Sequence, residues 1–208
     1  MNNMYEYEEQ LLKLGYLNIV GTDEVGRGPM AGPLVAAAVI LPPMIEINGL
    51  NDSKKLTSKK REELYIEIME KAIEVQVTFI DVETVDRVNV YEASKIAMSQ
   101  SITKMKNKVD YILADAMNLD LGIPCLGIIK GDAKSLSIAA ASVIAKVERD
   151  HYMIEMDEKY PEYGFKNHKG YVTKAHLAAI KKYGITEIHR KSFAPVRECI
   201  YEQTKLNF

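Results

Sequence analysis

Two rhythms of apolar and polar positions run along the chain, and together they predict its elements. Residues 17–27 and 33–41 are short apolar runs joined through a glycine-proline turn, the second rich in Val, Ile, Leu and Ala. Both read as buried strands. Residues 75–80, VQVTFI, open with the alternation of a half-exposed strand. DYILAD at 110–115 and IPCLGIIK at 123–130 are two more apolar runs bounded by turn residues. Between these runs a period near 3.6 predicts helices over 58–73, 89–107 and 134–159. In the last, Leu136, Ala140, Val143, Val147 and Ile154 fall on one stripe around His151. Residues 160–208 read as helix and loop without a strand. Strands first, then strands alternating with helices, predict an α/β sheet with a helical C-terminal extension.

Composition narrows the chemistry. A chain of 208 residues, 47% hydrophobic and 27% charged, suits one globular domain with a sizeable core. Cys125 and Cys199 are far apart with no CxxC or CxxH spacing, which argues against a disulfide framework or structural zinc. The acidic start MNNMYEYEEQ lacks a signal-type apolar core, and PLVAAAVILPP stops at prolines well short of the ~18 residues of a membrane span. The expectation is a cytoplasmic protein without a membrane segment. The net charge of −2 gives no support to nucleic-acid binding, and the distribution of charge tells more. Residues 53–61 hold five Lys/Arg and no acid, and residues 164–191 hold seven Lys/Arg against Glu187 alone. Such patches are either solvated helix surface or a face that steers a polyanion.

Four acids stand where a strand gives way to something else. Asp23 and Glu24 lie near the end of the first run, Asp115 ends YILAD, and Asp132 follows LGIIKG just before the long helix. In an open α/β sheet such strand ends are where side chains from separate elements converge. Clustered carboxylates repel one another, and a divalent cation would make them compatible. Oxygen ligands alone suit Mg²⁺ or Mn²⁺. Neighbours on a regular strand point to opposite faces, so Asp23 and Glu24 share a pocket only if the strand end is irregular, as Gly26 and Gly28 allow. Spacing alone leaves each acid open as a surface cap or a ligand.

The glycines of GRGPMAG form neither a dinucleotide fingerprint nor a phosphate loop, and they lead into a strand rather than a helix. Gly26-Arg27-Gly28 offers backbone that a ligand can approach closely, plus one cation. A plain turn is the alternative.

GTDEVGRGPMAGP, NDSKKLT, YILADAM, KGDAKSLSIAAASVIAKVERD and YGFKNHKGYVTKAH occur in this order, and together they resemble the ribonuclease HII family from about residue 17 to 197. The resemblance implies an RNase H-like fold: a mixed central sheet flanked by helices, here one catalytic domain with a core over about 17–160 and an extension over 161–208. It implies a metal-dependent endonuclease that cuts the RNA strand of RNA/DNA hybrids. It also implies nicking of DNA duplexes 5′ to embedded ribonucleotides, leaving 3′-hydroxyl and 5′-phosphate ends. By position, Asp23, Glu24, Asp115 and Asp132 correspond to the acids that hold two divalent cations, Mn²⁺ or Mg²⁺. Gly26, Arg27 and Gly28 match the family's motif for sensing the ribose 2′-hydroxyl. Tyr171 matches the tyrosine that packs on the sugar at an RNA–DNA junction, with Tyr163 as the lesser candidate. Lys54, Lys55, Lys166, His168 and Lys169 are the expected phosphate contacts, which position a duplex without reading its sequence. The expected state is a monomer, and some family members bind the sliding clamp through a C-terminal motif that Gln203, Leu206 and Phe208 loosely suggest.

Other residues keep plain readings. Ser137, Ser142 and Lys146 read as packing or capping positions of the long helix, and His151, His176 and His189 as structural. The related ribonuclease HIII usually carries an extra N-terminal domain, and only some twenty residues precede Asp23. A catalytically inactive binding homologue and a small-molecule phosphatase are the remaining alternatives. The four acids speak against the first, the basic segments against the second.

Overall fold

The computed structural model describes residues 4–50, 53 and 56–206, with side chains as far as residue 202. They form two compact units. The first comprises residues 1–25, 35–79 and 94–147, and the second 26–34, 80–93 and 148–208.

The first unit is built on a five-stranded sheet of order β3-β2-β1-β4-β5, with β1 Ile19–Val25, β2 Leu34–Ile40, β3 Glu74–Ile80, β4 Tyr111–Asp115 and β5 Cys125–Ile128. β1 runs antiparallel to β2 and parallel to β4, and β4 runs parallel to β5. The mixed sheet, the five strands and the helices between them agree with the α/β class expected from the periodicity. Both apolar runs form strands because every side chain has a covered face to enter: β2 is buried along its whole length.

Helices α1 Glu6–Lys13, α2 Ser58–Lys71, α3 Val82–Val88, α4 Val90–Thr103 and α5 Leu136–Lys159 follow the chain order. Thr57 starts α2 by accepting from the Lys60 N–H at 3.2 Å, a side-chain N-cap. Val35, Ala37 and Val39 of β2 share one core with Leu64 and Ile68 of α2 and with Ala140, Val143 and Ile144 of α5.

Helix α1 has no counterpart among the expected elements. Its buried Glu8 reaches the start of α5, where its Oε1 accepts from the Ser137 N–H at 3.0 Å and from the Ser135 and Ser137 hydroxyls at 2.6 and 2.7 Å. A carboxylate from 129 residues upstream thus caps the long helix and complements its positive end.

The second unit is helical, with α6 Phe165–His168, α7 Lys174–Tyr183 and α8 Ala194–Leu206. Met30, Met153, Phe165, Ile180, Ile188 and Val196 form its core. The apolar stripe of α5 holds as far as Val147 and then fails, because Ile154 and His151 are exposed. From Glu148 onward α5 belongs to this unit, and it buries Arg149, Met153 and Asp157 at a spacing of four. Where no strand was expected, Ala31 and His189 form an isolated antiparallel bridge.

Candidate active site

The acids of the first unit meet through strand register. β1 and β4 pair Thr22 with Ala114, so the next residues, Asp23 and Asp115, stand side by side at the end of the ladder. In-register residues of parallel strands point to the same face. That face carries the start of α5, and Gly21 lets the helix come down on it. A Cβ at Gly21 would stand 2.1 Å from the Ser137 carbonyl carbon. Asp23 is two residues on, hence on the same face as Gly21.

Both Asp23 and Glu24 lie inside the regular strand, paired with Ala37 and Ala36. The irregular strand end expected from the sequence is absent, and the two carboxylates interact without it. Asp23 is 5% exposed. Burial pushes its carboxyl well above the usual range, and the charges of Glu24 and then Asp115 push it further. Two hydrogen bonds oppose this, one from Ser142 and one from the Glu24 N–H, which is 2.7 Å from Asp23 Oδ1.

Asp132 is delivered by a turn. Lys130 takes a left-handed conformation with φ 58°, and the Gly131 N–H then donates to Asp115 Oδ1 at 2.7 Å. Asp132, buried, is the next residue, in a 3₁₀ turn over Gly131–Ala133. Three elements therefore bring Asp23, Glu24, Asp115 and Asp132 to one end of the sheet. Among the described residues no three acidic, histidine or cysteine side chains converge tightly enough to chelate an ion unaided. The donor set still fits a hard divalent cation, because every donor is a carboxylate oxygen and waters and phosphate oxygens complete such a sphere.

The sequence missed the support around Asp23. Ser142, assigned to packing, donates to that carboxylate. The Ser142 hydroxyl lies 2.8 Å from that of Ser53, so Ser53 donates to Ser142 while Ser142 donates to Asp23. Arg61 holds the Ser53 carbonyl at 3.0 Å and the Leu56 carbonyl at 2.8 Å. Ser53, from the NDSKKLT segment, is thereby tied to Asp23 through Ser142. Lys54 and Lys55, the expected phosphate contacts in that segment, lie outside the described residues.

The second unit holds the Gly26-Arg27-Gly28 turn and Tyr171. Gly26 is buried at φ +98°, while Arg27 and Gly28 are exposed. A Cβ at Gly28 would touch Tyr171 Cε1 at 3.4 Å, which places the tyrosine ring beside the turn. Tyr171 is 46% exposed. Tyr163 is buried, stacked on Phe165, with its hydroxyl donating to the Gly184 carbonyl at 2.8 Å. Of the two, Tyr171 is the exposed ring.

The remaining expected phosphate contacts divide. Lys166 is exposed and pairs with Asp157 at 3.3 Å, and Lys169 donates to the Lys166 carbonyl. His168 is half-buried: its Nε2–H donates to the Tyr163 carbonyl at 2.9 Å and its Nδ1 accepts from the Gly170 N–H at 3.2 Å. Both ring nitrogens are hydrogen-bonded to the backbone. Arg190, counted within the basic segment, is also no surface charge, being fully buried as Arg149 is.

A mixed five-stranded sheet whose adjacent parallel strands end in carboxylates is an RNase H-like fold, the class of nucleases that cut nucleic-acid strands hydrolytically. The ribonuclease HII family model matches residues 20–196, and the chain belongs to that family. It is 53% identical over 197 residues to the ribonuclease HII of Enterococcus faecalis, covering 95% of this chain and 77% of that one. The crystal structure of ribonuclease H2 from Pyrococcus horikoshii superposes with a TM-score of 0.77 at 25% identity, over 91% of this chain and 100% of the other. The ribonuclease HII of Archaeoglobus fulgidus, solved in complex with PCNA, gives a TM-score of 0.72 at 28% identity, over 84% and 94%. The chain is a ribonuclease H, a hydrolase acting on RNA/DNA hybrids. Among the described residues no helix is long and apolar enough to cross a membrane.

Proposed function

We propose that the chain, residues 1–208 acting as one catalytic domain, cuts the RNA strand of hybrids and nicks duplex DNA on the 5′ side of a ribonucleotide. The products carry 3′-hydroxyl and 5′-phosphate ends. The observation that carries this reading is the register of Asp23 beside Asp115, with Asp132 hooked on through Gly131. Asp23, Glu24, Asp115 and Asp132 are the residues that would hold the divalent cations, Mn²⁺ or Mg²⁺. Two bound cations supply charge that activates a water and stabilises the leaving 3′-oxygen of an in-line displacement.

The protein's own groups do the rest. The carboxylates fix positions within the cluster, and Ser142 with the Glu24 N–H orients Asp23. Gly26, Arg27 and Gly28 read the 2′-hydroxyl, the group that separates ribose from deoxyribose. Tyr171 packs on the adjoining sugar. Lys54, Lys55, Lys166 and Lys169 contact phosphates, so binding should weaken with salt. The enzyme works as a cytoplasmic monomer in this reading. A sliding clamp is its proposed partner, as PCNA is for the Archaeoglobus relative, docked through residues 203–208.

The test is a DNA duplex with one ribonucleotide, incubated with Mg²⁺, with Mn²⁺ or with neither, beside an all-DNA control. A metal-dependent nick 5′ to the ribonucleotide, with the control intact, is the expected result. Cleavage elsewhere, or none with either metal, overturns the proposal.

A further inference from the structure

Two arginines in the second unit are buried with their guanidinium groups hydrogen-bonded to backbone carbonyls. Arg190 and Arg149 are both 0% exposed. The Arg190 guanidinium donates from Nη2 to the Gly26 carbonyl at 2.6 Å and the Gly32 carbonyl at 2.8 Å. Its Nε donates to Gly32 at 3.1 Å and its Nη1 to the Arg27 carbonyl at 3.3 Å. Arg149 donates to the carbonyls of Pro33, Ala31 and Lys169 at 3.0, 3.0 and 2.9 Å. Burial lowers the two guanidinium groups to about 9 for Arg190 and about 10 for Arg149. The Phe193 ring, 5.3 Å from the Arg190 guanidinium carbon, offsets part of this cost. An apolar side chain of similar volume would leave these buried carbonyls without donors. The two cations therefore hold backbone carbonyls in place.

The consequence for the turn follows from peptide geometry. A trans peptide sets its N–H opposite its C=O, and no cis bond occurs among the described residues. Arg190 draws in the carbonyls of Gly26 and Arg27. The N–H groups of the same two peptide units, those of Arg27 and Gly28, are consequently directed away from Arg190. A guanidinium bound to a carbonyl oxygen also polarises that peptide and strengthens its N–H as a donor. Gly26 is the residue that fits here. A Cβ on it would lie 2.6 Å from Arg149 Nε and 2.7 Å from the Pro33 carbonyl oxygen.

We infer that Arg190 is a positioning residue for ribose recognition: its planar fork holds the Gly26 and Arg27 carbonyls so that the Arg27 and Gly28 amides face the 2′-hydroxyl. This rests on the proposed ribose-sensing role of Gly26–Gly28 and adds the residue that sets it. A lysine keeps the charge but lacks a fork able to hold several carbonyls at fixed angles.

Arg190→Lys tests it, with Gly28→Ala beside it. The alanine meets Tyr171 only at an ordinary contact distance, so the fold tolerates it while the added methyl obstructs a sugar. Affinity is measured in chelator, so that nothing is cut, for a duplex with one ribonucleotide and for its all-DNA counterpart. The wild type should prefer the ribonucleotide duplex. Arg190→Lys should reduce that preference about tenfold, the equivalent of one good hydrogen bond, with all-DNA affinity unchanged. A merely structural role would weaken both duplexes alike. An unchanged preference in folded Arg190→Lys, while Gly28→Ala loses it, overturns the positioning role alone. An unchanged preference in both variants overturns the ribose reading itself. Should Arg190→Lys fail to fold, the wild-type amide resonances of Arg27 and Gly28 decide. They should shift with the ribonucleotide duplex and not with DNA, and equal shifts overturn the inference.

Discussion

Gly21 and Ser137 approach so closely that a single methyl would not fit between them: its carbon would stand 2.1 Å from the Ser137 carbonyl carbon and 2.4 Å from the Ile138 nitrogen. Both are backbone atoms of a helix start, and neither can swing aside as a side chain would. Gly21→Ala must lift α5 from β1 or bend the strand, at a cost of about 3 kcal/mol. Thermal unfolding should show the loss, and cleavage should fall with it because Asp23 faces the same helix. A stable, active Gly21→Ala enzyme would mean that α5 is not pinned there.

Asp23 is placed where its ionised form is disfavoured, a cost that the proposed metal-binding role would explain. Burial and the charges of Glu24 and Asp115 all disfavour its ionised form, and two hydrogen bonds only partly compensate. Asp23→Asn removes the repulsion while its amide oxygen can still accept from the Glu24 N–H. The variant should melt higher than the wild type, by about 2–4 °C for each kcal/mol relieved. Its cleavage rate should fall by about a hundredfold or more. Mn²⁺ should raise the wild-type midpoint, since a ligand that binds only the folded state stabilises it, and should do much less for the variant. Scanning calorimetry with and without Mn²⁺ checks all but the rate. Equal Mn²⁺ stabilisation of both proteins would remove Asp23 from the ligand set.

Ser142 should tune the site without belonging to it. Its hydroxyl donates to Asp23 and accepts from Ser53, which fixes the carboxylate's rotamer. Partners of this kind are worth about 10–100-fold in metal affinity. Ser142→Ala should therefore raise the Mn²⁺ concentration for half-maximal cleavage by at least about tenfold, with the rate at saturating Mn²⁺ largely restored. A drop in rate that excess Mn²⁺ cannot restore would point to a direct role instead.

The strands were legible because their apolar runs are short, bounded and rich in Val and Ile, and the acids because each sits at a boundary between elements. What the sequence hid has common physical causes. Ser142 and Ser137 share one helix and look alike in composition, yet one meets Asp23 and the other Glu8, since only the packing of β1 and α1 decides which. Arg190 counted as surface charge because a lone arginine in a basic stretch carries no sign of enclosure by backbone carbonyls. The backbone contact of His168 was hidden because it depends on the turn at Lys169, φ 50°, which brings the Gly170 N–H onto its ring. The stripe of α5 failed at Ile154 because the helix changes the neighbours it packs on part-way along, which no single period can encode.

His176 and His189 form a proton-ordered pair with one consistent tautomer each. The Thr186 N–H donates to His189 Nδ1 at 2.9 Å, so His189 carries its proton on Nε2. That N–H donates to His176 Nε2 at 3.0 Å, and the His176 Nδ1–H donates to the Tyr171 carbonyl at 2.9 Å. Burial lowers both rings from 6.5 to about 4, and the neighbouring His168 and the pair's own proximity act in the same direction. A folded value below the unfolded one means stability is fully present above about pH 6.5 and is lost as pH falls toward 4. Each ring contributes a slope of up to about 1.4 kcal/mol per pH unit within that window. Unfolding free energy measured at pH 7, 6 and 5 should fall progressively. His189→Gln, which removes one titrating ring, should show a shallower fall. An identical pH profile in the variant would mean that the pair takes up its protons without cost to the fold.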